Sequence, residues 1–158
     1  MLGDKRAARR HQEYLDSLRH TREREMRETL ARAANLTGLQ LIVRPDTWHH
    51  LRRRPHLADL LSRIDATRVL GDPADLRATM TVTLSGPQLV HLAAALFTDK
   101  ETDGTGPAER AARAIAHRLY PVVDAAIRAA HPLPAYLDKT SAAAREVHTV
   151  ALDTPGTT

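Results

Sequence analysis

Most of the chain's candidate chemistry lies in one stretch, Trp48 to His56 (WHHLRRRPH), which holds three arginines, three histidines and the only tryptophan of the protein. No acid stands between Asp46 and Asp59. Guanidinium forks pair bidentately with phosphate oxygens and an indole can stack on a base, so Trp48, Arg52, Arg53 and Arg54 form a candidate nucleic-acid contact. The competing reading puts Trp48 and Leu51 in the core and the arginines on the wet side of the same helix. The second carries more weight, because aromatic residues make up only 3% of the chain and few accompany the cluster. His49, His50 and His56 lack a carboxylate or thiolate at ligand spacing, so no metal site is read from them.

A second basic stretch, KRAARR at residues 5–10, continues through Arg19, Arg22, Arg24 and Arg27. Arg9, Arg10 and Arg22 are its candidate partner contacts. A phosphate backbone would attract these cations, but the interleaved Glu13, Asp16, Glu23, Glu25 and Glu28 would repel it. The mixture favours a solvated or protein-binding helix. For catalysis, Arg113 and His117 share a helical face with Asp124 seven residues further on, which reads as a surface charge pair because no nucleophile accompanies it. The chain has no G-x-S-x-G, Walker loop, G-x-G-x-x-G or E-x-x-H, and no cofactor is expected.

These residues need elements to hold them. Asp4 to about Asn35 are nearly all good helix formers, and Glu23/Arg27 and Glu28/Arg32 stand at i,i+4. From Arg19 to Glu25 this helix has no apolar residue, so packing in its own domain cannot hold that part. Apolar residues return at Met26, Leu30, Ala33, Ala34 and Leu36, where the helix should dock. Leu39–Val43 reads as a strand ended by Pro45, with Asp46 or Thr47 capping the helix that carries Trp48. Pro55 breaks that helix or opens another with Leu57, Leu60, Leu61 and Ile64 on one face.

Residues 76–85 alternate strictly and predict a strand with Met80, Val82 and Leu84 inward. Ser85-Gly86-Pro87-Gln88 then forms a capping box for a helix with Leu89, Val90, Ala93, Leu96 and Phe97 on one face. Residues 99–106 form a polar loop. Pro107 opens a helix with a stripe of Ala111, Ile115, Leu119, Val122 or Val123, Ala126 and Ile127, kinked or broken at Pro121. A short strand is expected near residues 147–152.

The 158 residues fit one domain able to bury its own core, and the absence of cysteine excludes disulfides and thiolate chemistry. The start, MLGDKRAARR, runs into charge rather than an apolar leader, and no stretch approaches the length of a membrane span, so a cytoplasmic protein is expected. Residues 1–68 hold fifteen Lys/Arg against nine Asp/Glu, a net of +6, while residues 69–158 carry −2. Twenty of the 23 cations are Arg and Ala is abundant, the signature of a GC-rich, bacterial genome, which weakens the arginine count as a sign of phosphate binding. The expected architecture is α+β and helix-rich: a projecting basic arm over residues 1–25, one globular domain over 26–152 with a small sheet, and a frayed tail over 153–158. The expected function is a non-enzymatic accessory protein that engages a protein partner, or a second copy of itself, through residues 1–36. The alternative is a DNA-associated regulator using Arg52, Arg53, Arg54 and the N-terminal arginines.

Overall fold

The computed structural model describes residues 2–64, 69–72, 74–75, 77–130 and 148–153. Its elements follow the order α1 (Leu2–Ala34), β1 (Leu39–Val43), α2 (Pro45–Arg53), α3 (Ala58–Ser62), β2 (Val69–Leu70), β3 (Met80–Leu84), α4 (Gly86–Glu101), α5 (Pro107–Ala130) and β4 (His148–Ala151). The architecture is α+β, with a long N-terminal helix and a small mixed sheet packed by helices.

The sheet order is β2-β3-β1-β4, with β1 and β3 antiparallel at the centre and β4 parallel to β1 at an edge. Leu39, Leu41 and Val43 of β1 pair with Leu84, Val82 and Met80 of β3, and all six are buried on the helix-covered side. Gln40 and Ile42, opposite Thr83 and Thr81, form the half-buried other side. The alternation across 76–85 overextends the strand at its start. Arg77 and Ala78 sit in a bend, held by hydrogen bonds from Arg77 N–H to Asp75 Oδ1 and from Ala78 N–H to the Asp75 carbonyl, so the ladder begins only at Met80. Leu76 lies outside the described residues.

The capping box of α4 forms as expected, with Gln88 N–H donating to Ser85 Oγ at 3.4 Å and Ser85 N–H donating to Gln88 Oε1 at 2.9 Å. Helix α2 starts earlier than expected. Pro45 takes the first helical turn, Arg44 is the N-cap, and neither Asp46 nor Thr47 caps it. Proline's fixed φ makes it a natural first residue, and the Arg44 N–H is taken by the Asp153 carboxylate at 2.9 Å. Asp153 therefore belongs to the body and not to a tail.

Helix α5 runs unbroken through Pro121. The proline is exposed, next to exposed residues His117 and Arg118, so the His117 carbonyl that loses its N–H partner faces water and the helix survives. Its buried stripe begins at Ala112 and Ala116, with Ala111 exposed and Ile115 half-buried.

Candidate functional site: the N-terminal arm and its base

Helix α1 has 33 residues, a span of about 50 Å, and only its C-terminal third is docked. Thr29 and Ala33 are buried, Met26 and Leu30 are half-buried, and Leu36 just beyond is buried. Ala34 is exposed, because it lies on the far side of the helix from Thr29 and Leu36. From Leu2 to His20 every residue is exposed except the half-buried Asp16, so the arm leaves the body near Thr21 and Arg22.

Helix α4 lies antiparallel beneath the docked part. At one end Gly86 abuts the last turn of α1 so closely that a Cβ there would sit 2.5 Å from the Leu36 carbonyl oxygen and 2.7 Å from that of Ala33. The N-terminal dipole of α4 thus faces the carbonyl end of α1, a favourable head-to-tail contact. At the other end Glu101 lies 3.1 Å from Arg22, and there α4 stops while α1 continues for another 20 residues, about 30 Å. A cleft of about 300 Å³ fills this corner, lined by Arg19, Arg22, Glu23, Phe97, Glu101 and Asp103.

A buried polar network fixes the angle at which the arm departs. Thr29, fully buried, donates its hydroxyl to Asp124 of α5. Arg128, one turn on, donates to Asp124 at 3.1 and 3.2 Å, to Thr29 Oγ1 at 3.1 Å and to the Glu25 carbonyl at 3.2 Å. Tyr120 joins through Thr29. Burial, then the neighbouring Asp124 charge, pushes its hydroxyl up to about 12, so it stays neutral. Lys100 lies 4.6 Å from the Tyr120 ring centre and 5.5 Å from that of Phe97, covering the aromatic pair. Asp124 is therefore committed to Thr29 and Arg128, while His117 is exposed, and the two do not form a pair. Sequence reasoning missed Thr29. Its signal is a threonine three residues after Met26 and four before Ala33, on a stripe where a hydroxyl must find a partner.

The arm's exposed residues are not uniform around the helix. At 100° per residue, Ala8, His11, Tyr14, Leu15 and Leu18 fall within about 60° of the direction of Thr29, so they prolong the docked stripe past the edge of the body. Tyr14, Leu15 and Leu18 are 61, 43 and 37% exposed. Arg9 and Arg10 are exposed on the arm, with Arg9 2.9 Å from Glu13 one turn along, and Arg22 is held at the base by Glu101.

The second basic cluster separates into parts. Trp48 is 4% exposed and packs in the core with Leu51, so its indole offers no face to a base. Arg54 closes α2 with a two-pronged ion pair to the buried Asp99 of α4, at 2.8 and 2.6 Å, which removes it from any phosphate contact. Burial and the charge of Arg54 together hold His50 below its usual range. Arg52, Arg53, His49 and His56 are exposed, and among the described residues neither arginine has an ion-pair partner. A third network ties β4 to α2: Arg118 donates to Asp153 at 2.6 Å and to Thr47 at 3.3 Å. Burial alone would raise the Asp153 carboxyl, but bonds from the Arg44 N–H, Arg118 and Thr47 outweigh it and hold the group below the ordinary carboxylate value.

Among the described residues no helix is long and apolar enough to cross a membrane. No protein-family model, no curated protein and no solved structure matches this chain.

Proposed function

We propose that this is a non-enzymatic, cytoplasmic binding protein whose N-terminal helix is its recognition element for another protein. The observation that carries the reading is the continuation of one helix stripe from a buried seat at Met26–Ala33 to an exposed run at Ala8–Leu18. Among the described residues nothing in the body covers that run, and a helix in water gains nothing from Leu15 and Leu18 facing solvent. Mixed charge on the remaining faces keeps the arm helical and soluble through i,i+4 pairs such as Arg9–Glu13.

Side-specific photo-crosslinking tests the reading. A photoreactive residue at position 15 or 18 should capture protein in a cell extract, while the same group at Arg24, on the opposite face, should not. Equal capture from both faces, or capture of nucleic acid in place of protein, would refute it.

A second reading, DNA association, draws on Arg52 and Arg53, which are exposed and have no ion-pair partner among the described residues. Their joint replacement by alanine should then flatten the salt dependence of duplex binding by about one unit of slope per lost phosphate contact. Arg54 must be left in place, since its loss would strand Asp99. Unchanged salt dependence in the double variant would remove this reading.

A further inference from the structure

We propose that the outward face of α2 is a contact for the phosphate backbone of duplex nucleic acid, made by Arg52, Arg53 and His49, and that His49 tightens its grip as pH falls. This rests on the DNA-association reading and adds to it a third group and a pH dependence. The first support is placement. Arg52 and Arg53 stand three and four positions after His49, so at 100° per residue the three lie within about 100° of one another, with His49 between the two arginines. All three are exposed, while Thr47 and Leu51, on the far side of α2, are buried. The divergence of about 100° between the adjacent arginines directs their forks at different phosphates and not at a shared one.

The second support is charge. The acids nearest in sequence are each engaged with another arginine: Asp46 with Arg44 at 3.6 Å and Asp59 with Arg63 at 3.1 Å. Arg54, although next in sequence, is turned to the buried Asp99 of α4 at 2.6 Å and takes no part in this face. The positive charge of Arg52 and Arg53 therefore stays uncompensated among the described residues, and a polyanion meeting it would release counterions. The arm's cations differ, since Glu13, Asp16, Glu23, Glu25 and Glu28 stand among them. With Trp48 only 4% exposed, its ring cannot stack on an unpaired base from this face, which favours a duplex over a single strand.

The pH dependence comes from His49. An imidazole is the side chain that ordinarily gains a positive charge between pH 8 and 5. The charged groups beside His49 on α2 are Asp46, three positions earlier, and Arg52 and Arg53; the Asp46 carboxylate is directed to Arg44, and no described element covers His49. A phosphate held by the two arginines stabilises the charged imidazole, so binding takes up a proton and strengthens as pH falls, with one further counterion released.

Binding of the full-length protein to a fluorescent duplex oligonucleotide, followed against salt at pH 8 and pH 6, tests this. Arg52→Ala/Arg53→Ala should flatten the salt dependence by about two units of slope at both pH values. His49→Gln should match the wild type at pH 8 and fall short of it by up to about one unit of slope at pH 6, a comparison in which the other histidines cancel. Circular dichroism at both pH values shows whether the variants keep the wild-type fold. An unchanged slope in the arginine variant would overturn this contact and the DNA-association reading together. A flattened slope in the arginine variant, with no difference between the wild type and His49→Gln at pH 6, would overturn the role of His49 and leave that reading standing. Tighter binding to a single strand than to the duplex would overturn the choice of partner.

Discussion

Thr29 shows how one hydroxyl can set the direction of a helix. It sits in the docked part of α1, two turns before the arm leaves the body, and joins Asp124, Arg128 and Tyr120 in one network, so its removal leaves a carboxylate and a guanidinium short of a partner in a half-buried site. Thr29→Val keeps the volume and should cost about 1–3 kcal/mol of unfolding free energy, read from urea denaturation. Arg54 makes a similar case. Arg54→Ala strands the buried Asp99 and should cost about 3 kcal/mol or more, whereas Arg52→Ala and Arg53→Ala should each stay within about 0.5 kcal/mol of wild type. Equal effects at all three positions would mean that the Arg54–Asp99 pair contributes nothing.

Two residues give stability a pH dependence of known sign. The folded pKa of Asp153 lies below its unfolded value of 3.8, so its contribution is complete above that value and is lost as pH falls through the folded pKa. Asp153→Asn should weaken the protein at neutral pH and flatten that acid limb. His50 has a folded pKa below 6.5, so the unfolded chain binds more protons between the two values and stability declines as pH drops below about 6.5. His50→Gln should remove that part of the slope.

Among the elements, those with a local cause were legible in the sequence. The capping box at Ser85–Gln88, the aliphatic run Leu39–Val43 and the helix-forming composition of residues 4–35 each depend on neighbours within a few positions, and each appears as expected. The late start of β3 comes from a local turn at Asp75, and other departures come from partners distant in sequence. Asp153 accepts the Arg44 N–H at the start of α2 from 109 positions away. The same holds for the candidate contacts: the pairing of Arg54 with Asp99 spans 45 positions and could not be read from the Arg52–Arg54 run. Gly86 was legible only as part of a cap, yet its missing side chain lets α4 touch the end of α1. Gly86→Val should force those helices apart and lower the melting temperature by many degrees, and an unchanged melting curve would mean that the contact is slack.

For the molecule as a whole, one helix divides its length between two tasks. Residues 22–34 belong to the body through Thr29, Ala33 and the Arg22–Glu101 pair, while residues 2–20 bury almost nothing within the described chain. Hydrogen exchange along α1 tests this division most directly, because each amide reports the free energy of opening at its own position. In dilute protein, amides from residues 24–34 should exchange as slowly as those of β1 and β3, and amides from residues 2–20 should exchange orders of magnitude faster. Uniform slow exchange from residue 2 to residue 34 at high dilution would contradict the account, since the arm would then be held by its own body and not offered to a partner.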